Sequence, residues 1–221
     1  MPPEAHPRAV VFDMDGVLVD SSPIHAEAFR RTLATRGLPF AGYDGIAGLR
    51  TDAAFRRLMK DLADDAALVQ TCVDEKRAHF RSLTGDMAPM MPNCVETVQA
   101  LAARSIALGL ATSGSRASMR AFLSASGLER HFSVTLCGDD VRAAKPAPDL
   151  YLRAFAGLGI DASQGLVVED SEAGFLAATS AGAPCILFRP SADTRARHGH
   201  DSRAIIDDLK HLLDVFREDH P

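Results

Sequence analysis

The sequence of 221 residues lacks several features that would place it in a broad class of proteins. No apolar stretch approaches the roughly twenty residues that a membrane span needs, and the amino terminus has no apolar signal core. Lys and Arg are not in excess, since the formal net charge is -5, which argues against a nucleic-acid-binding face. We therefore expect neither a nucleic-acid partner nor a membrane partner.

The cysteines lack the spacing of a zinc site or a disulfide framework. Cys72, Cys94, Cys137 and Cys185 are widely separated, and none belongs to a C-x-x-C motif. This usage is typical of reduced thiols that are buried as small apolar side chains in a cytoplasmic protein. We expect a cytoplasmic location.

The most informative motif is an apolar run over residues 10–12 that ends at Asp13 and Asp15. The run predicts a buried strand, and because side chains alternate along a strand, both carboxylates should project to one side and Met14 to the other. Two adjacent carboxylates repel each other unless a cation or a proton-transfer task compensates. In open α/β sheets, ligands bind at the carboxyl ends of the strands, so the pair predicts a reactive site.

Apolar residues follow two different patterns along the chain. Ser22 as an N-cap and Pro23 at the first helical position predict a helix start, and from there to about Gly85 only helical patterns occur. Strand-like runs at 106–111, 134–137, 166–168 and 185–188 then alternate with helical segments at 115–126, 148–158 and 172–181. This alternation predicts an α/β fold with a doubly wound parallel sheet. We assign the core to residues 1–20 and 88–221, and an inserted helical domain to residues 21–87, ending at Met87.

Three local predictions concern the remaining segments. Asn93 followed by Glu96 resembles a capping box that opens a helix through Ala103. Residues 191–202, which are rich in charge and His, are predicted to form a loop. Residues 205–216 are predicted to form a final surface helix.

Polar side chains follow the other predicted strands as well. Thr112, Ser113 and Ser115 lie between a strand and a helix, where hydroxyls and unpaired helix N–H groups suit phosphate oxygens. Ser115 is equally well explained as a helix cap. Lys145 precedes two prolines that stiffen the chain, and is either a solvated surface group or a fixed cation at this edge of the sheet.

Two further acids, Glu169 and Asp170, end the fourth predicted strand. Together with Asp13 and Asp15 they would bring four carboxylates to one edge of the sheet. Such a cluster requires a hard cation, and ligation by oxygen alone suits Mg²⁺.

In these motifs the sequence resembles the haloacid dehalogenase superfamily, in its phosphatase and phosphomutase branch with a helical cap after the first strand. The resemblance covers nearly the whole chain, and its motifs occur in order at residues 13–17, Thr112, Lys145, and Glu169 with Asp170. Segments 144–149 and 169–174 are most similar to the group that contains β-phosphoglucomutase and sugar-phosphate phosphatases. The resemblance implies a Rossmann-like core.

The resemblance also implies a role for each motif residue. Asp13 would attack phosphorus and form an aspartyl-phosphate, while Asp15 would protonate the departing oxygen and then activate the attacking water or alcohol. Mg²⁺ would be held by Asp13, the backbone carbonyl of Asp15 and Asp170, with Glu169 nearby. The transferring phosphoryl oxygens would be held by Thr112, the Ser113 amide and Lys145.

The insert would be a mobile lid that contributes substrate contacts. Its candidate substrate residues are His25, Arg50 and Lys76, and Arg116 on the core side would pair with a second anionic group. For His25 and Lys76 the alternative is an ordinary solvated position on a helix. Arg50 follows Gly48 in a loop that resembles the substrate loop of the family, spaced one residue differently from the mutases.

The leading hypothesis is a Mg²⁺-dependent phosphatase of a small phosphorylated metabolite such as a sugar phosphate, acting as a monomer or weak homodimer. Its rival among enzymes is a β-phosphoglucomutase-type phosphomutase, which would return the phosphoryl group to the sugar. A non-enzymatic receiver switch uses similar residues, but it needs no helical insert and carries its phosphorylated Asp on a later strand. Asp15 argues against halide displacement, which needs no such acid.

Overall fold

The computed structural model describes residues 6–85 and 88–216, and its centre is a six-stranded parallel sheet. The strands are β1 (Ala9–Phe12), β2 (Ala107–Ala111), β3 (Val134–Leu136), β4 (Gly165–Glu169), β5 (Cys185–Phe188) and β6 (Ala204–Ile206). Their order in the sheet is β3-β2-β1-β4-β5-β6. The predicted α/β fold with a doubly wound parallel sheet is confirmed.

Strand β1 lies in the middle of the sheet, paired with β2 on one side and β4 on the other. Phe12 is in register with Leu110 and with Val168. Val10 and Phe12 pack into the apolar core on one face of the sheet, and Val11 packs into the core on the other face. A parallel strand that is covered on both faces must be apolar throughout, which explains the unbroken run in the sequence.

Eight α-helices occur within the described residues. They are α1 (Ser22–Ala34), α2 (Thr51–Met59), α3 (Ala66–Thr84), α4 (Cys94–Ala103), α5 (Arg116–Ser126), α6 (Asp149–Gly157), α7 (Glu172–Ser180) and α8 (Ala192–His198). Val98 of α4 and Met119 of α5 belong to the core on one face of the sheet, and Tyr151 of α6 and Phe175 of α7 belong to the core on the other. None of the described helices is both long and apolar enough to cross a bilayer.

Helices α1, α2 and α3 follow β1 in the chain and have an apolar core of their own. Phe29, Leu33, Phe55, Val69 and Val73 are buried together there. This shared core supports a separate helical unit, which we call the cap. Its boundaries at residues 21 and 87 stay a prediction, and Met87 lies outside the described residues.

The predicted loop over residues 191–202 is wrong, because the first part of it forms α8. Ser191 Oγ accepts a hydrogen bond from Thr194 N at 3.2 Å, so a serine that was assigned to a loop caps a helix instead. His198 Nε2 contacts Glu172 Oε1 at 3.1 Å and ties the short helix to α7. Contacts of this kind between distant residues outweigh the polar composition of the segment.

The predicted surface helix over residues 205–216 is also wrong. Residues Ala204–Ile206 form the edge strand β6, and Leu209–Phe216 is a 3₁₀-helix. Leu209, Leu212 and Phe216 are buried against the core. Apolar residues three positions apart share a face in an α-helix and in a 3₁₀-helix, so their spacing alone does not distinguish these two helix types.

Two predicted helix caps differ from the structure. Asn93 has a left-handed backbone and makes no capping bond, because its side chain donates to the Asp208 carboxylate at 2.9 and 3.1 Å. The N-cap of α1 is Ser21 rather than Ser22, and its hydroxyl does not bond to the helix. It donates instead to Asp15 Oδ1 at 2.7 Å, which brings Ser21 into the candidate site.

Candidate active site

The carboxyl ends of β1, β2 and β4 meet at one edge of the sheet, and each end carries a polar side chain. Asp13 follows β1, and its amide donates to Val168 O at 3.0 Å. Thr112 follows β2, and Glu169 is the last residue of β4. Because β1 lies between the other two strands, these side chains converge on one region, where ligands bind in open parallel sheets.

Lys145 reaches this edge from the segment before α6 and is buried. Its ammonium donates to Asp13 Oδ1, to Glu169 Oε1 at 2.6 Å and to the backbone oxygen of Ala111 at 2.9 Å. An ammonium has three donors, so all are used. Burial alone would lower the pKa of Lys145, but the charges of Asp13 and Glu169 raise it above its usual range. Lys145 is therefore a fixed cation, and the alternative of a solvated surface lysine is wrong.

Asp13, Glu169 and Asp170 form an acidic cluster whose carboxylate oxygens lie within 4.8 Å of one another. Burial and the charges of Glu169 and Asp15 raise the pKa of Asp13 to about 8, against the opposing effect of Lys145. Burial and the charges of Glu169, Asp13 and Asp15 also raise the pKa of Asp170 well above its usual range. The single positive charge of Lys145 does not balance the negative charge of three carboxylates. The remaining negative charge and the carboxylate oxygens fit a hard divalent cation.

Two glycines allow the acids of this cluster to approach. A Cβ at Gly16 would lie 2.0 Å from Asp170 Oδ2, and Gly16 has a φ of +86°, a conformation that favours glycine. A Cβ at Gly174 would lie 1.8 Å from Glu169 Cδ. Glu169 and Asp170 can take up their positions because Gly16 and Gly174 carry no side chains.

The Asp15 side chain bonds to residues at the start of the cap and is not part of the acidic cluster found among the described residues. Its Oδ1 atom accepts from Ser21 Oγ and lies 3.2 Å from His25 Nε2. Its Oδ2 atom accepts from Thr112 Oγ1 at 3.3 Å. Burial alone would raise the pKa of Asp15, but His25, the Ser21 hydroxyl and the charge of Lys76 hold this pKa below its usual range.

His25 and Lys76 extend the contacts of Asp15 into the cap. Lys76 Nζ lies 2.6 Å from His25 Nδ1, and the His25 ring stacks on Phe80 with 4.3 Å between ring centroids. Lys76 is only 4% exposed, so the alternative of a solvated helix position is wrong for it. Burial lowers the pKa of Lys76 to about 8 and also lowers the pKa of His25. A neutral imidazole can accept from Lys76 and donate to Asp15, which makes a continuous hydrogen-bonded chain.

The two arginines that were predicted to meet the substrate are each paired with a carboxylate. Arg50 donates to the two carboxylate oxygens of Asp52 at 2.7 and 2.9 Å, and Arg116 donates to Asp140 Oδ1 at 2.6 Å. Arg50 also lies 3.5 Å from the backbone oxygen of Arg142 and so connects the cap with the core. The Arg50 and Arg116 side chains are 38% and 42% exposed, so each remains accessible to a ligand.

The two predicted serines differ in their partners. Ser115 Oγ accepts from Ser118 N at 3.2 Å and caps α5, which is the alternative to phosphate binding. Ser113 packs against Gly138, where a Cβ would lie 2.6 Å from the Ser113 backbone oxygen. The Ser113 hydroxyl is buried and has no hydrogen-bond partner among the residues that the structure describes. A buried hydroxyl without a partner is unusual, and this one lies next to Thr112 in the candidate site.

Three residues around the site were not predicted from the sequence: Ser21, Tyr43 and Tyr151. Tyr43 stacks near His25 at a centroid distance of 6.1 Å and lines a cavity of about 280 Å³ that also borders the acidic cluster. The Tyr151 hydroxyl donates to Glu169 Oε1 at 2.5 Å. Only Ser21 carried a sequence signal, as a neighbour of the predicted helix start. The two tyrosines lie where an aromatic side chain ordinarily indicates core packing.

Comparison with known proteins matches residues 10–188 to the model of haloacid dehalogenase-like hydrolases. The chain belongs to this family. This haloacid dehalogenase-like hydrolase is 31% identical over 199 residues to Protein CbbY of Rhodobacter capsulatus, and the alignment covers 85% of this chain and 87% of that protein. It is 33% identical over 179 residues to a phosphorylated carbohydrates phosphatase of Thermotoga maritima, and the alignment covers 79% of this chain and 82% of that protein.

Solved structures agree with this assignment. The haloacid dehalogenase-like hydrolase aligns with CbbY from Rhodobacter sphaeroides in complex with xylulose-(1,5)bisphosphate at a TM-score of 0.76 and 26% identity, covering 93% of this chain and 96% of that one. It aligns with β-phosphoglucomutase from Clostridium difficile at a TM-score of 0.81 and 17% identity, covering 95% and 96%. The second match shows the fold alone. The family that the motifs resemble is confirmed.

Proposed function

We propose that this hydrolase is a Mg²⁺-dependent phosphatase of a small phosphorylated metabolite such as a sugar phosphate. The observation that carries the proposal is the position of Asp13, which contacts the Lys145 ammonium and lies in one cluster with Glu169 and Asp170. A carboxylate nucleophile, a fixed cation and a divalent-cation site are the parts that phosphoryl transfer by this route needs. Relatives named as phosphorylated carbohydrates phosphatase and phosphoglycolate phosphatase support the substrate class.

The proposed reaction has two steps. First, a carboxylate oxygen of Asp13 attacks phosphorus, so that an O–P bond forms, the P–O bond to the metabolite breaks, and Asp15 gives its proton to the departing oxygen. Second, water attacks the aspartyl-phosphate, Asp15 takes a proton from that water, and phosphate leaves as its bond to Asp13 breaks. One carboxyl group acts covalently and the other carries one proton through each cycle.

The first step needs Asp15 as a carboxylic acid, although its surroundings lower its pKa. A bound phosphoryl group adds negative charge beside Asp15, and this charge favours the protonated form. After the metabolite has left, the contacts with Ser21 and His25 stabilise the carboxylate, which is the form that the second step requires. The same residue can therefore serve as acid and then as base.

The residues that would hold Mg²⁺ are Asp13, Glu169, Asp170 and the backbone carbonyl of Asp15. Bound there, the ion would screen the repulsion between an anionic nucleophile and an anionic phosphoryl group. Thr112, Ser113 and Lys145 would hold the phosphoryl oxygens through hydroxyl, amide and ammonium groups. The cytoplasmic location is also part of the proposal, and four buried free cysteines support it.

A phosphomutase of the β-phosphoglucomutase type is the second candidate. It would use Asp13 and Asp15 in the same way, with a sugar hydroxyl in place of water. The phosphatase is favoured because relatives that are 33% identical to this chain are named phosphatases, whereas the solved structures described as β-phosphoglucomutases are 17% and 28% identical. The receiver alternative does not hold, because the chain belongs to a hydrolase family.

The direct test is Asp13→Asn, which should abolish turnover and leave the fold intact, because it removes the charge of the nucleophile at nearly constant volume. The assay measures phosphate released from a panel of sugar phosphates and phosphoglycolate with Mg²⁺, together with the melting temperature. Asp74→Asn, the same exchange at a side chain that is 63% exposed on α3, is the matched control and should keep full activity. Phosphatase activity in Asp13→Asn would show that the nucleophile is misassigned.

The same assay separates the remaining alternatives. EDTA should abolish phosphate release and added Mg²⁺ should restore it, whereas turnover without metal would contradict the proposed ligands. With β-glucose 1-phosphate as substrate, conversion to glucose 6-phosphate with little free phosphate would establish the phosphomutase instead.

A further inference from the structure

Tyr151, in the first turn of α6, is a buried polar aromatic residue beside the acidic cluster. A buried tyrosine hydroxyl needs a partner, and this one donates to Glu169 Oε1 at 2.5 Å. The face of the ring lies 4.9 Å from Lys145 Nζ, within the range of a cation–π contact. Tyr151 therefore contacts both of the charged residues, Glu169 and Lys145, that position Asp13 and its neighbours.

Glu169 is held differently at its two carboxylate oxygens. Its Oε2 atom accepts from Asp170 N at 3.2 Å, from Ser171 N at 3.4 Å and from Ser171 Oγ at 3.0 Å. Its Oε1 atom accepts from Lys145 and from Tyr151. The loop after β4 fixes one oxygen, so the direction of the other depends on these two side chains.

Lys145 is a poor support for Oε1, because its ammonium also serves Asp13 and the backbone oxygen of Ala111. In the proposed reaction the charge on Asp13, with which this ammonium pairs, changes when the aspartyl-phosphate forms. The Tyr151 hydroxyl has no such second task among the hydrogen bonds of the described residues, and its ring is enclosed by the core under α6. A neutral donor on a helix holds Oε1 independently of the charge on Asp13.

We propose that Tyr151 is a positioning residue whose hydroxyl fixes the Glu169 carboxylate and, through it, the cation site that Glu169 forms with Asp13 and Asp170. This inference rests on the proposed function in that the site binds Mg²⁺. Partners that lie behind the ligands of a metal typically change its affinity or the activity by about 10- to 100-fold when they are removed. The effect of Tyr151 should fall within that range.

Tyr151→Phe tests the inference, because it removes the hydroxyl and keeps the ring beside Lys145. Calorimetric titration of the whole chain with Mg²⁺, in the absence of substrate, should show an affinity about tenfold weaker than that of the wild type. At limiting Mg²⁺, kcat should fall while KM for the phosphate ester stays the same. The rise in melting temperature on adding Mg²⁺ is a second measure of binding, and it requires only that the variant is folded at the start of the scan.

Phe155→Leu is the matched control. Phe155 lies one turn further along α6 and is equally buried, but it packs on Gly165 at the start of β4 rather than on Glu169. This variant should lower the melting temperature and keep the Mg²⁺ affinity of the wild type. A similar loss of Mg²⁺ affinity in both variants would show that packing of α6 is responsible, and would overturn the positioning role.

Wild-type Mg²⁺ affinity in Tyr151→Phe would also overturn the inference. Failure of the proposed function would give a different result: the wild type would bind Mg²⁺ in the calorimeter and release no phosphate from any ester in the panel. The two failures are therefore distinguishable in the same set of measurements.

Discussion

The two sides of the candidate site are built on different principles. At the sheet edge, Asp13, Lys145 and Glu169 are buried, and the Lys145 ammonium donates to both carboxylates. Arg50 and Arg116, by contrast, are partly exposed, and each bonds to a carboxylate of its own. A buried charged side chain has no solvent to replace its partner, so its position in the fold determines which groups it can contact. An exposed arginine must first release its paired carboxylate before it can bind an anionic group of the substrate.

The pair of His25 and Lys76 combines features of both sides. The two residues belong to the cap, yet Lys76 is buried and the chain of contacts ends at Asp15 in the core. In the proposed mechanism, this chain of contacts would let the cap take part in proton transfer as well as in substrate binding. Variants at the sheet edge, in this buried pair and at the exposed arginines should show effects of decreasing size.

The largest effect is expected from Lys145→Met, which removes the cation and keeps a side chain of similar length. Removing one partner of a buried ion pair leaves an uncompensated charge and costs about 3–5 kcal/mol. We expect the free energy of unfolding, measured by chemical denaturation in EDTA, to fall by about this amount, and phosphate release to be lost. Lys210→Met, which removes an exposed ammonium from its pair with Asp208, should leave stability nearly unchanged. Equal losses in the two variants would remove the distinction between the two sides.

A different result is expected from Lys76→Met, because burial lowers the pKa of this lysine from 10.5 to about 8. Between these two values the unfolded chain binds a proton that the folded chain has lost, so the stability of the wild type rises with pH across this window. Below pH 8 the wild type carries the full cost of burying the ammonium, on the order of 3 kcal/mol. Lys76→Met should therefore be more stable than the wild type below this window, and the difference should shrink as pH rises through it.

The activity of Lys76→Met should move in the opposite direction. Without the ammonium, His25 loses the partner that orients its ring towards Asp15, and phosphate release should slow by about tenfold or more. Arg81→Met, an exposed exchange on the same helix, should change neither the rate nor the pH dependence. A Lys76→Met variant with wild-type activity would show that the buried pair supports the cap alone.

The sheet edge could be predicted from the sequence because its residues follow apolar strands directly. Asp13, Thr112 and Glu169 each lie at the end of an apolar run. Strands that alternate with helices pair in parallel, so their carboxyl ends lie at the same edge of the sheet. No comparable rule identified Tyr151, since its spacing on α6 is that of any core residue. Only the packing of α6 on the sheet brings its hydroxyl to Glu169.

The partners of Arg116 and Lys76 could not be predicted from the sequence for another reason. Arg116 pairs with Asp140, which is 24 positions away, and the position of that acid depends on the 3₁₀ segment Gly138–Asp140 after β3. Lys76 meets His25 across 51 positions, through the packing of α1 on α3. Such pairs depend on how elements pack, which periodicity does not encode.

The smallest effect on the folded chain is expected from Arg50→Ala, because an exposed ion pair contributes little to stability. The effect on substrate binding should be larger and selective. If Arg50 exchanges Asp52 for a second anionic group of the substrate, KM for a sugar bisphosphate should rise about tenfold with kcat unchanged, which is the signature of lost uniform binding.

A sugar monophosphate offers no second phosphate to Arg50, so its KM should stay the same in Arg50→Ala. Arg56→Ala, an exposed exchange on α2, controls for a general disturbance of the cap. An equal rise in KM for both substrates would mean that Arg50 acts by holding the cap on the core through the backbone oxygen of Arg142. No rise for either substrate would show that Arg50 takes no part in substrate binding.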